Sequence, residues 1–123
     1  MANYFDIADL DWQRGKKEMH DLLTRVAARR GMITYSELSN GIQSLRIEPF
    51  GLPMSEMLGE IAEDEDAAGR GLLTVIVVHK FGDMEPGKGF YDLAAKLGRD
   101  TSDKVKLFVS ELHKVHGYWA NVD

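Results

Sequence analysis

One apolar run, Leu72–Val78, constrains the fold of this chain more than any other stretch of its sequence. Its seven residues are all apolar or β-branched, which is the length and composition of a buried strand. The polar pair His79 and Lys80 follows, where the strand would leave the core. A glycine-rich turn over residues 82–89 then leads into the next element. Because a buried strand fixes what the loop after it presents, this segment predicts the position of a site.

Composition limits the class of protein. The 123 residues, 44% hydrophobic and 28% charged, predict a single globular domain over residues 1–123 with a real core. The longest apolar run is far shorter than the roughly 20 residues of a membrane helix, and the acidic N-terminus lacks a signal-peptide pattern. No cysteine is present, which excludes disulfides, thiolate zinc sites and cysteine nucleophiles. We therefore expect a cytoplasmic protein without a membrane segment.

Charge is distributed unevenly around the net value of −5. Residues 11–30 carry six basic and three acidic side chains, a local charge of +3. Residues 48–66 carry seven acidic side chains and no basic one, a local charge of −7. One basic and one strongly acidic region are therefore predicted, and such regions guide the choice of partners.

Apolar residues at three- and four-residue spacing predict a mostly helical chain. The first helix covers residues 11–30, and Thr34 with Glu37 has the spacing of a capping box for a second. Further helices are predicted from Pro53, from Phe90, and after a cap at Thr101 or Ser102. The last helix has the clearest buried stripe: Val105, Phe108, Val109, Leu112, Val115 and Trp119. With a short strand at residues 32–34, the pattern predicts an α+β domain, mostly helical, with a small sheet.

The order of these elements resembles a winged helix-turn-helix. Residues 32–41 (MITYSELSNG) and 70–89 are similar to the winged helix of alkyltransferase-like DNA-repair proteins. That group carries Pro-Cys-His-Arg-Val in its strand, whereas this chain has Leu73-Thr74-Val75-Ile76-Val77. The cysteine and the arginine are missing, so the resemblance implies a winged-helix-like fold without that chemistry.

The chain also resembles small bacterial proteins that share four short motifs. Residues 34–38 match T-Y-x-E-L, residues 58–61 match L-G-x-I, and residues 77–80 match V-V-x-K. Residues 86–90 match P-G-x-G-F. This resemblance covers residues 32–98 and implies no activity.

Three basic side chains mark the strand end and turn. His79, Lys80 and Lys88 are candidates for binding a carboxylate, a phosphate or another small ligand, because Pro-Gly-Lys-Gly can present backbone N–H groups at a helix start. The spacing is not that of a P-loop. The alternative interpretation is a strand end with solvated charges and an ordinary turn.

Charged segments give two further candidate surfaces. Glu60, Glu63 and Asp64 are candidates for contact with a basic partner, although an acidic run is commonly a solvated helix end. The arginines at the end of the first helix are candidates for contact with nucleic acid: Arg25, Arg29 and Arg30. Sequence-specific DNA binding is disfavoured, since the helix in the recognition position carries only acidic charge.

No metal site, cofactor or catalytic group is predicted. His113 and His116 have helical spacing for a shared metal but lack a third ligand, and the serines lack a nucleophile-elbow motif. Tyr118 and Trp119, with six methionines, suggest apolar surface available for self-association. The preferred interpretation is therefore a non-catalytic binding module that forms a homodimer or binds another protein. The alternatives are a nucleic-acid-associated winged-helix protein and a small-ligand or anion binder at residues 79–89.

Overall fold

The computed structural model describes residues 3–80 and 86–120. Its first elements are two short antiparallel strands, β1 (Asn3–Tyr4) and β2 (Ile7–Ala8). The helices are α1 (Asp9–Ala28), α2 (Tyr35–Gly41), α3 (Leu52–Ala67), α4 (Lys88–Lys96) and α5 (Lys104–Ala120). Strand β3 (Ile33–Thr34) lies between α1 and α2, and β4 (Val77–Val78) lies between α3 and α4. The chain is thus mostly helical with minor sheets, so the α+β prediction is confirmed.

The core is formed where α1, α3 and α5 surround the buried segment that leads into β4. Trp12, Met19 and Leu23 give α1 its buried face, and each is fully inaccessible to solvent. Their three- and four-residue spacing is what the sequence predicts for an amphipathic helix. Within the described residues, no helix has both the length and the hydropathy that a membrane span requires.

The helix α2 begins as its sequence predicts. The Thr34 hydroxyl accepts a hydrogen bond from the Glu37 backbone N–H, and the Glu37 carboxylate accepts one from the Thr34 N–H. Both halves of the capping box are therefore present. Because Thr34 ends β3, this cap fixes the direction in which α2 leaves the sheet.

The predicted strand Leu72–Val78 is wrong over most of its length. Leu73–Ile76 forms a single 3₁₀ turn, and only Val77 and Val78 pair, in parallel, with Ile33 and Thr34. Every side chain of the run is nonetheless buried. A short apolar run buried on all sides carries no periodicity that separates a strand from a tight helical turn.

The buried stripe predicted for α5 is also partly wrong. Val105 is 67% exposed and Val109 is 42% exposed, whereas Leu107 and Glu111 face the interior. The Glu111 carboxylate accepts a hydrogen bond from the Leu72 N–H at 3.1 Å and lies 3.5 Å from Arg99 Nε. The buried face of α5 therefore includes a polar contact that apolar periodicity alone does not predict. The helix is capped by Asp103, which accepts a hydrogen bond from the Lys106 N–H, and not by Thr101 or Ser102.

Candidate functional site

A cavity of about 460 Å³ lies between α3 and α4 and is closed at one end by the 3₁₀ turn and the end of β4. We call it the α3–α4 cavity. Its volume falls within the range of small-molecule sites in proteins, which is about 300–1,000 Å³. Apolar side chains from both helices line its walls: Met54, Leu58, Phe90 and Leu93. His79 and Lys88 also line it, so the cavity brings together two of the three basic residues predicted at the strand end.

Three rings form one side of the mouth of the cavity. The centroids of Tyr35 and His79 are 5.1 Å apart, and those of Tyr35 and Phe50 are 5.6 Å apart. Phe50 and His79 stack with 19° between their planes. Phe50 is 61% exposed, so one of its faces is open to solvent. The rings come from the start of α2, the segment before α3 and the end of β4, and only the tertiary fold brings them together.

Residues 82–85 of the predicted glycine-rich turn lie outside the described residues, and Gly87 holds the start of α4 against these rings. Its backbone N–H donates a hydrogen bond to the Tyr35 hydroxyl at 3.1 Å. A Cβ atom at this position would lie 3.1 Å from His79 Nε2 and 3.2 Å from the Tyr35 hydroxyl, which is closer than most side chains tolerate. Burial raises the pKa of Tyr35, although the Gly87 N–H acts to lower it, so the phenol is protonated at neutral pH. Its hydroxyl hydrogen therefore remains available as a donor.

The start of α4 presents backbone donors to the cavity. Gly87 is the N-cap and has no side chain with which to cap the helix. Within the described residues, the N–H groups of Lys88 and Gly89 have no hydrogen-bond acceptor. The Lys88 side chain is exposed, and its Nζ lies 3.3 Å from Asp92 on the same helix. An uncapped helix start with a lysine beside it is a local concentration of positive potential.

Small residues keep the wall of α3 open. Gly59 lies in the middle of this helix and lines the cavity, and a Cβ placed there would meet no atom within 4 Å. A glycine inside a helix costs about 0.5–1 kcal/mol relative to alanine. No neighbouring element of the described chain approaches α3 so closely at Gly59 that a side chain would be excluded. A side chain at this position would instead extend into the cavity.

Thr74 contributes a buried polar group to the cavity. The residue is 6% exposed and belongs to the 3₁₀ turn. In the described part of the chain its hydroxyl makes no hydrogen bond. The hydroxyl oxygen is not among the fully enclosed side-chain atoms of the described residues, so water can serve as its partner when the cavity is open. The described residues therefore supply no protein hydrogen-bond partner for the Thr74 hydroxyl.

The predicted acidic residues are engaged within the chain. Lys16 Nζ lies 3.4 Å from Glu60 and 2.9 Å from Asp64, and Lys96 Nζ lies 3.7 Å from Glu63. Burial acts to lower the pKa of Lys16, but the two carboxylates outweigh this effect and raise it. The acidic run is therefore largely neutralised by α1 and α4, a pairing that sequence reasoning missed because the partners are far apart in the chain.

The remaining predicted residues lie away from the cavity. Lys80 is exposed at the end of β4 and does not line it. The three arginines at the end of α1 are exposed: Arg25, Arg29 and Arg30. Tyr118 is 41% exposed, whereas Trp119 is half-buried against α1. The His116 ring lies 2.9 Å from the Gly31 carbonyl oxygen, and the described residues contain no cluster suited to a metal ion.

A second polar cluster, not predicted from the sequence, surrounds Glu65. This carboxylate is 1% exposed and is bound by the Arg70 guanidinium, with Arg70 Nε 3.0 Å from Glu65 Oε2. His20 Nε2 lies 3.4 Å from the same oxygen, and the hydrogen bond to Glu65 raises the pKa of His20. Trp119 covers the cluster, with its ring 5.8 Å from the Arg70 guanidinium carbon. The cluster joins α1, α3 and α5, and its contacts are those of a structural element.

Comparisons of this chain with protein-family models, with curated proteins and with solved structures find no match. The resemblances predicted from its motifs therefore stay predictions. Among the described residues, the α3–α4 cavity has the volume and the lining of a ligand site.

Proposed function

We propose that this protein is a non-catalytic binding module whose ligand occupies the α3–α4 cavity. The observation that carries the proposal is Gly59, a mid-helix glycine on the cavity wall with no atom within 4 Å of its Cβ position. Replacing it with almost any residue would favour the helix. Retaining glycine there makes sense if the space beside it has to stay open for a ligand.

The character of the cavity supports the same proposal. Apolar walls combined with a few polar groups are typical of small-molecule sites. Here the polar groups include the Thr74 hydroxyl, the Tyr35 hydroxyl and the start of α4, together with the charged side chains that also line the cavity. Among the described residues no hydrogen bond joins the cavity residues Ser55 and His79, and the proposal is one of binding.

The test uses 1-naphthylacetamide, a neutral aromatic probe, titrated into the full chain by calorimetry and by amide chemical shifts. We expect saturable binding that Gly59→Leu strongly weakens, because the leucine side chain occupies part of the cavity where the probe would lie. The same substitution should raise the free energy of unfolding by about 0.5–1 kcal/mol, since glycine is the poorer helix former. Loss of binding therefore cannot be attributed to unfolding.

Gly117→Leu is the matched control. Gly117 also lies inside a helix with no atom within 4 Å of its Cβ position, but on α5 and away from the cavity. This variant should bind the probe as the wild type does. Unchanged binding by Gly59→Leu, or no binding by the wild type, would contradict the proposed site.

Nucleic-acid association through a winged-helix-like fold is a second candidate function. It is favoured by the exposed arginines at the end of α1: Arg25, Arg29 and Arg30. The element order α1, β3, α2, α3, β4 agrees with it, whereas the parallel pairing of β3 with β4 differs from the antiparallel hairpin of a wing. If this candidate is correct, replacing the three arginines with serine should lower the salt concentration of elution from heparin. Identical elution would exclude this surface.

Self-association and a cytoplasmic location also remain proposals. Of the two aromatic anchors predicted for a homodimer, Tyr118 is the exposed one, while Trp119 packs against His20 and Arg70 of its own chain. A dimer contact at this end of α5 would therefore depend mainly on Tyr118.

A further inference from the structure

We propose that the α3–α4 cavity takes a small aromatic carboxylate, with the carboxylate at the first turn of α4 and the ring between α3 and α4. This inference rests on the proposed function and names the chemical class of its ligand. Two independent features point to the carboxylate: the uncapped start of α4, and the buried Thr74 hydroxyl that faces no partner in the described residues.

The start of α4 has the donors that a carboxylate needs. The N–H groups of Lys88 and Gly89 lack acceptors among the described residues, and the N-cap Gly87 has no side chain to satisfy them. Gly87, Lys88 and Gly89 all line the cavity. An anion at this position receives hydrogen bonds from the backbone and is stabilised by the helix dipole.

The Thr74 hydroxyl adds a donor within the same cavity. Thr74 is 6% exposed and lines the cavity. A ligand carboxylate has two oxygens, and one can accept from the α4 backbone while the other accepts from Thr74. Binding would then satisfy the polar groups that the fold alone leaves without partners.

The rest of the cavity suits an aromatic ring. Met54 and Leu58 from α3 face Phe90 and Leu93 from α4, and these side chains provide apolar surface for both faces of a flat group. Phe50, at the mouth, is largely exposed and can cover the outer edge of a bound ring. Aromatic pairs gain attraction beyond the area that they bury.

The acidic side chains at the cavity do not oppose an anion strongly. Glu60 and Glu63 are each already paired with a lysine, Lys16 and Lys96 respectively. Glu56 has no ion-pair partner among residues 3–80 and 86–120, but it is exposed, so water and salt screen its charge. Lys88 also lines the cavity, but its charge is paired with Asp92, so the backbone N–H groups of α4 are the main donors to the carboxylate.

The experiment uses calorimetry to compare three probes that share a naphthylmethyl group and differ in the charge of the polar group: 1-naphthylacetate, 1-naphthylacetamide and 1-naphthylmethylamine. We expect the acetate to bind about tenfold more tightly than the neutral amide, because hydrogen bonds to an ionised acceptor are the stronger ones. The amine should bind most weakly. Equal binding of acetate and amide, or tighter binding of the amine, overturns the inference and leaves the proposed function intact. Binding of none of the three contradicts the proposed function itself.

Two substitutions at Gly89 locate the carboxylate. Gly89→Asp places a carboxylate at the start of α4, where it is favourable for the helix and competes with the ligand for the same donors. A Cβ at this position meets only Ser55 Oγ, at 3.9 Å, so the variant should fold. We expect it to lose the preference for the acetate, while the isosteric but neutral Gly89→Asn keeps it. An unchanged preference in Gly89→Asp would overturn the placement.

The third variant tests the second donor. Thr74→Val keeps the shape of the side chain and removes the hydroxyl, so acetate binding should weaken about tenfold. Thr24→Val is the control, because Thr24 lies on α1 with its hydroxyl bonded to the Asp21 carbonyl and does not line the cavity. Equal acetate affinity in both variants would remove Thr74 from the site.

Discussion

Replacing Arg70 with leucine is expected to lower the free energy of unfolding by about 3 kcal/mol. The reason is Glu65, whose carboxylate is 1% exposed and depends on the Arg70 guanidinium for most of its hydrogen bonds. Without Arg70 the carboxylate stays buried with His20 as its remaining basic partner. Urea unfolding of the wild type and the variant at neutral pH measures the difference.

A double variant separates the buried charge from the lost packing of Arg70. Glu65→Gln combined with Arg70→Leu leaves no buried charge, so it should be more stable than Arg70→Leu alone by about 1 kcal/mol or more. Arg46→Leu is the control, because Arg46 pairs with Glu48 on the surface, where both side chains are more than half exposed. It should cost under about 1 kcal/mol. Equal losses in Arg70→Leu and Arg46→Leu would show that the Glu65 cluster is not structural.

The pH dependence of the same cluster has a defined sign. Burial acts to raise the pKa of Glu65, but the hydrogen bonds from His20 and Arg70 outweigh it and lower the pKa below the ordinary value of 4.5. The stabilisation that Glu65 itself contributes is therefore complete above pH 4.5 and is lost as the pH falls through its lowered pKa, whereas the contribution of His20, whose pKa is raised, is lost as the pH rises. The difference in stability between wild type and Arg70→Leu should shrink over that acidic range.

Truncating Trp12 to alanine is expected to cost about 3–5 kcal/mol. The side chain is fully buried at the start of α1, and its indole N–H donates a hydrogen bond to Glu60 at 3.1 Å. The substitution removes the largest buried side chain of this helix and leaves a cavity that rigid neighbours can only partly fill. Chemical denaturation followed by far-ultraviolet circular dichroism measures the loss.

Leu10→Ala is the matched control for Trp12→Ala. Leu10 lies two residues earlier on the same helix but is 58% exposed, so its truncation should change stability by about 0.5 kcal/mol or less. A comparable loss in both variants would mean that α1 does not bury the face that contains Trp12.

Local patterns predict the helices of this chain well. The spacing of Trp12, Met19 and Leu23 identifies the buried face of α1, and the capping box at Thr34 identifies the start of α2. Pro53 marks the beginning of α3, because proline is favoured in the first turn of a helix, where its missing N–H would have no helical partner. Each of these signals depends on residues within one or two helical turns, so the sequence alone is sufficient.

The errors occur where long-range contacts outweigh local preference. The run Leu72–Val78 has strand composition, but β3 offers only Ile33 and Thr34 as paired partners, so most of the run forms a 3₁₀ turn. The face that α5 buries includes Glu111, whose carboxylate accepts a hydrogen bond from the Leu72 backbone N–H 39 residues earlier. Apolar periodicity carries no information about such a polar contact.

Some features of the candidate site follow from local sequence, and others depend on how distant elements pack. The sequence by itself determined that the chain is mostly helical, that an acidic and a basic segment coexist, and that His79 and Lys88 flank a glycine-rich turn. Only the tertiary structure decided that the acidic residues Glu60 and Glu63 are paired within the chain, and that His79 and Lys88 share a cavity with Thr74. The physical reason is that helix formation and capping are set by neighbours in sequence, whereas a cavity is space left between elements and depends on how they pack.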